Sequence, residues 1–105
     1  MTDQDILSLL KCDLGFDEEN HDKDILLQQI IGSAKEYIVQ RGVSTLSMDS
    51  FKDVDLVRMY SAWLFRKRAS DKGDGVGNIG SMPRMLEMAL NDRIFSEKMR
   101  EEVTA

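Results

Sequence analysis

The sequence predicts a mainly α-helical fold, a small bundle of about four helices with a glycine-rich loop before the last of them. Three observations predict it. Apolar residues recur at helical spacing in four separate stretches. Capping residues open these stretches, and glycines or a proline bound them. Finally, 105 residues with 42% apolar and 31% charged side chains suit one globular domain over 1–105, large enough to bury a core without a metal or disulfide staple.

The first helix follows from Thr2 and Asp5, an N-cap with an acid at the third helical position. Ile6, Leu9 and Leu10 repeat at helical spacing, Leu7 widens the face, and Gly15 is a natural stop. The expected span is about Asp3 to Asp13. Phe16 to His21 is an acidic connection. Asp22 and Asp24 then sit where anions favour the start of a second helix. Leu26, Leu27, Ile30, Ile31, Ala34, Tyr37 and Ile38 share one broad stripe there, while Gln28, Gln29, Gly32, Lys35 and Glu36 fall outside it. Gly42, just after Arg41, takes the usual position beyond a helix end.

Val43 to Asp49 reads as a short loop, and Ser50 with Asp53 as a second capping signal. The third helix runs to about Ala69. Its apolar residues, from Phe51 to Phe65, point nearly all round, which predicts a central helix covered on several sides. Asp71 to Ser81 holds Gly73, Gly75, Gly77 and Gly80 and is expected to be a mobile loop. Pro83 suits the first turn of a fourth helix. That helix carries two apolar stripes, Leu86, Ala89, Leu90 and Ile94 on one side, and Met85, Met88, Phe95 and Met99 on another. One stripe docks a helix on its own domain, so the second points to another surface, such as a neighbouring subunit. The tail from Arg100 to Ala105 is polar and expected to fray.

Charge and cysteine usage narrow the function. The net charge of −5 makes free duplex DNA a poor partner, although an acidic surface lets DNA slide past without sticking. A single cysteine, Cys12, excludes a disulfide within the chain and fits a reducing compartment. The acidic start lacks the pattern of a signal peptide, and no apolar run nears the roughly 20 residues of a membrane helix. No membrane role is expected.

Several motifs invite a chemical reading that their context denies. Gly75-Val-Gly77-Asn-Ile-Gly80 matches the dinucleotide fingerprint but lacks the preceding strand and the βαβ unit. Asp17, Glu18, Glu19, His21, Asp22 and Asp24 cluster acids around the only histidine, yet EF-hand spacing is missing, and a solvated loop with a helix start explains them. Cys12 and His21 have no third member or oxyanion hole, and a helical cysteine is usually a small buried hydrophobe. Arg66, Lys67 and Arg68 are the strongest basic run. They suit a helix C-terminus, or contact with an acidic neighbour such as the Asp17 to Asp24 stretch of another copy. Seven methionines, with Met82, Met85, Met88 and Met99 near the last helix, serve either core packing or an adaptable interface.

The order of the elements resembles a known family. Asp5-Ile-Leu-Ser-Leu-Leu-Lys11 precedes an acidic link. Asp24-Ile-Leu-Leu-Gln-Gln-Ile-Ile-Gly-Ser-Ala-Lys-Glu-Tyr-Ile38 follows. The third helix carries Met59-Tyr-Ser-Ala-Trp-Leu-Phe65, and a glycine-bearing loop leads to Met82-Pro-Arg-Met-Leu86 and Asn91-Asp-Arg-Ile-Phe95. Over about Asp5 to Phe95 this is similar to the phage head-tail connector family, also described as head-completion or DNA-packaging adaptors. Met82-Pro83 stands where leucine-proline is frequent in that family.

The resemblance implies a helical subunit that assembles as a homo-oligomeric ring, around twelve-fold, beneath the portal of the filled head. It implies the portal protein and a stopper or tail-completion protein as partners, DNA only as passing cargo, and neither cofactor nor catalytic residue. It also implies a place in the virion, with synthesis in the bacterial host cytoplasm. The candidate interface residues are Arg66, Lys67, Arg68, Met85, Met88 and Phe95, and the glycine loop is a segment that orders on assembly. The alternative expectation is a small nucleic-acid-binding helical phage regulator, with the Arg66 end of the third helix as its basic element.

Overall fold

The structure, a computed structural model, describes residues 1–71 and 82–104. It contains helices α1 (Asp3–Leu14), α2 (Asp24–Gln40), α3 (Phe51–Asp71) and α4 (Arg84–Thr104), and no strand among the described residues. The mainly helical small bundle is thus what the chain forms. The glycine segment 72–81, with its fingerprint match, lies outside the described residues.

The helix ends form for local reasons. Thr2 Oγ1 accepts from the Asp5 N–H at 3.2 Å, and Asp5 Oδ2 accepts from the Thr2 N–H at 3.1 Å, which closes the capping box. Gly15 takes φ 79°, so its N–H reaches the Cys12 carbonyl and the Phe16 N–H the Lys11 carbonyl. At the end of α2, Gly42 takes φ 116° and the Val43 N–H returns to the Ile38 carbonyl at 3.4 Å. Val43 is then fully buried, the hydrophobic contact that accompanies this kind of helix end.

α3 is the central element and packs against α1, α2 and α4. Its buried residues Leu56, Val57, Tyr60 and Ala62 meet Ile6, Leu7 and Leu10 of α1, Leu27, Ile31, Ala34 and Ile38 of α2, and Leu86 and Leu90 of α4 in one core. Tyr37 stacks on Tyr60 at 4.7 Å between ring centres, and Phe16 meets the edge of Phe65 at 5.6 Å, which ties the connection after α1 to the end of α3.

Three expectations need correction. Asp53 does not close a capping box with Ser50; its carboxylate turns to Arg93 and the Ser47 N–H, because a buried acid satisfies itself with a cation first. Phe51, the first residue of α3, is exposed. Cys12 is exposed, as α1 buries Ile6, Leu7, Leu10 and Lys11 instead. α4 runs on to Thr104.

Lys11 is a charge placed inside. Its ammonium lies 3.0 Å from Asp24 Oδ1 and donates to the Glu18 carbonyl at 2.9 Å. His21 Nδ1 lies 2.7 Å from Asp24 Oδ2. These contacts, His21 foremost, hold the Asp24 carboxyl below its ordinary value. The acidic connection is therefore pinned to α1 through one of its own acids.

Candidate functional site

The two stripes of α4 are separated by its packing. At 100° per residue, Leu86, Leu90 and position 97 centre on one side, and Met85, Met88, Phe95 and Met99 on another, roughly 165° away. Leu86, Leu90 and Glu97 are buried. Met85 is 79% exposed, Met88 55%, Phe95 65% and Met99 46%. Large apolar side chains this open on a helix whose other side already fills the core form an apolar stripe that water covers at a cost.

A charged clamp sets which stripe turns inward. Glu97 Oε1 accepts from the Ser44 hydroxyl at 2.8 Å and the Thr45 N–H at 2.7 Å, and Oε2 accepts from the Thr45 hydroxyl at 2.9 Å. One turn earlier, Arg93 Nε donates to Asp53 Oδ1 at 2.7 Å and Nη2 to Thr45 Oγ1 at 3.0 Å. Asp53 Oδ2 also accepts from the Ser47 N–H at 2.9 Å. The Ser44 hydroxyl, helped by Thr45 and Arg93, holds the Glu97 carboxyl below its ordinary value despite burial. Each carboxylate oxygen of Glu97 and Asp53 thereby has a donor on the loop after α2 or on Arg93.

Beside the exposed stripe lies a groove of about 630 Å³. Met59, Ala62 and Trp63 of α3 and Met85 and Leu86 of α4 give it apolar walls, and Asp13, Asp55, Arg58 and Arg66 stand around it. Trp63 Nε1 is buried and has no acceptor among the described residues. Arg58 grips Asp13 with two bonds, Nε to Oδ2 at 3.0 Å and Nη2 to Oδ1 at 2.7 Å, and lies 3.4 Å from Asp55. The Asp13 contact foremost raises the Arg58 pKa, so this guanidinium is committed within its own chain.

Of the six residues singled out in the sequence, Met85, Met88 and Phe95 come together on the exposed stripe. Arg66, Lys67 and Arg68 do not form a patch, because consecutive helical positions fan out over about 200°. Arg66 and Arg68 are exposed and Lys67 is half-buried. Arg66 alone of the three lines the groove, where it donates to the Asp13 carbonyl at 3.4 Å. Asp24 of the acidic stretch is spent on Lys11 and His21, while Asp17, Glu18, Glu19 and Asp22 are exposed. His21 is engaged with Asp24 rather than Cys12. The described residues hold no group of three or more His, Cys, Asp or Glu able to bind a metal, and no helix among them is long and apolar enough to cross a membrane.

The sequence reading missed the clamp and the groove. The clamp had a signal: extending the Leu86 and Leu90 stripe by one heptad lands on Arg93 and Glu97, charges in line with buried leucines. The groove had none, since it depends on how α1, α3 and α4 meet. No family model, curated protein or solved structure matches this chain.

Proposed function

We propose that this chain is a structural adaptor subunit of the head-tail connector of a tailed phage. It acts by binding, as one copy in a ring that joins the portal to a stopper or tail-completion protein and leaves DNA a central passage. The observation that carries this reading is the exposed stripe Met85, Met88, Phe95 and Met99, opposite the side by which α4 docks on its own domain. A lone domain gains nothing from such a stripe, whereas an assembly buries it. The similarity of element order supplies the family, and the net charge of −5 suits a passage that DNA must cross without adhering.

The regulator alternative draws less support. A DNA-reading helix needs its cations on one face, and Arg66, Lys67 and Arg68 point in three directions. Solution mass by light scattering, alone and with the portal protein of the same genome, tests the adaptor reading. Portal-dependent growth to a ring-sized mass is expected. A strict monomer that ignores portal protein, or one that shifts duplex DNA at physiological salt, overturns it.

A further inference from the structure

We infer that the exposed stripe of one copy docks head to tail on the groove of the next, with Phe95 in the groove and Asp92 paired to Arg66 on its rim. The inference rests on the adaptor reading for the existence of neighbouring copies, and it names the contact between them.

The stripe itself excludes the simplest way of pairing with itself. Its positions are 85, 88, 92, 95 and 99, and the middle one is an exposed acid, Asp92. A two-fold contact centred on the stripe sets Asp92 against Asp92, whichever way the helices run. That removes two like charges from water together, a large penalty. Asp92 makes no ion pair with another described residue, so on assembly it needs a cation supplied from a different surface.

The groove supplies one. Arg58 is already held by Asp13 and Asp55. Arg66 is exposed and touches no carboxylate among the described residues; its contact is the Asp13 carbonyl. Phe95 lies three residues beyond Asp92 on the same face, so a helix that offers its acid to Arg66 brings the ring to the groove beside it. The apolar walls of Met59, Ala62 and Trp63 suit that ring, and an aromatic anchor beside a charged pair is the usual composition of a strong contact centre. Met85 borders both stripe and groove; a contact in which Asp92 and Phe95 of one copy meet Arg66 and the groove of the next repeats head to tail and closes into a ring when the rotation allows.

Charge exchange tests the contact. Arg66→Asp and Asp92→Arg are both exposed changes, so circular dichroism should show an unaltered fold. Self-association, followed by sedimentation and light scattering alone and on portal protein, should weaken about tenfold or more for each single variant. It should recover in the double variant, where a two-fold contact centred on the stripe would keep Arg against Arg. Phe95→Ser should weaken it without touching charge. The contact is refuted if Arg66→Asp assembles like the wild type, if the double variant is no better than the singles, or if the wild type stays monomeric both alone and on portal protein. A chain that binds portal and ignores both charge changes leaves the adaptor reading standing without this contact. One that assembles as described but ignores portal leaves the contact standing without that reading.

Discussion

The two sides of α4 should respond oppositely to the same truncation. Leu90 is 2% exposed and packs with Leu86 and the α3 core, whereas Met88 lies two residues earlier and is 55% exposed. Truncating a buried leucine to alanine removes its transfer free energy and leaves a cavity, together about 2–5 kcal/mol. Met88→Ala strips a side chain that is mostly in water already. Alanine is also a slightly better helix former than methionine, so the change should stay within about 0.5 kcal/mol.

Against a total stability on the order of 5–15 kcal/mol, the Leu90 loss is a large share, and for a domain of this size it lowers Tm by about 10 °C or more. Urea titrations followed by far-ultraviolet circular dichroism and by the single tryptophan, Trp63, give both values on one scale. In the same samples Met88→Ala should reduce solution mass at a concentration where the wild type associates. Equal destabilisation at the two positions, or a larger loss at Met88, would show that α4 is rolled differently and would remove the stripe on which the assembly argument stands.

Three further outcomes follow from particular residues. Gly42→Ala should destabilise by about 1–3 kcal/mol in urea, because φ 116° is strained for any Cβ, although the nearest atom to that Cβ, Ile94 Cγ2, is 4.0 Å away; a neutral result would refute the left-handed helix end. Acid should destabilise the fold. Glu97 has its pKa lowered on folding, so its contribution is present above the ordinary value of 4.5 and fades as pH falls through the lower folded value. Glu97→Gln should therefore flatten the stability-pH curve in that acid range, and an unchanged slope would contradict the clamp. Cys12 should react with a thiol reagent in the native protein at a rate near that of the unfolded chain; protection until denaturant is added would contradict its exposure.

Much of the fold was legible because short-range physics decides it. Thr2 and Asp5, Gly15 and Gly42 each act through backbone groups a few residues away, so their patterns translate directly into helix ends. The α2 stripe is equally direct: Leu27, Ile30, Ile31, Ala34 and Ile38 are all buried. Cys12 was misread because residue type gives an average burial, while its position is set by where Ile6 and Leu10 point. Asp53 was misread because a local bond to Ser50 competes with a distant one to Arg93, and only the tertiary arrangement decides between them. Of the candidate surface, Met85, Met88 and Phe95 were visible as a surplus stripe, and helical periodicity alone separates Arg66, Lys67 and Arg68, but that Arg66 lines a groove depends on how α1, α3 and α4 meet.

A helix with two apolar stripes poses a problem that hydrophobic burial cannot solve, since turning α4 by about half a turn would bury Met88, Phe95 and Met99 in place of Leu86 and Leu90. The polar groups break the tie. In the rolled arrangement Glu97 would leave Ser44 and Thr45, and Arg93 would leave Asp53, whose carboxylate is buried and would lose its cation. Stranding a buried charge costs far more than exchanging one set of apolar contacts for another. Buried ion pairs add little to net stability, yet here one selects orientation, and the orientation is what leaves the methionine and phenylalanine stripe facing outward. The clamp and the exposed stripe are therefore two consequences of one arrangement. Replacing Arg93 and Asp53 together by apolar residues of similar size should leave a folded helical domain with a less strictly defined face for α4. Self-association should then fall even though no stripe residue has changed. Undiminished association in that double variant would show that the core leucines alone fix the roll.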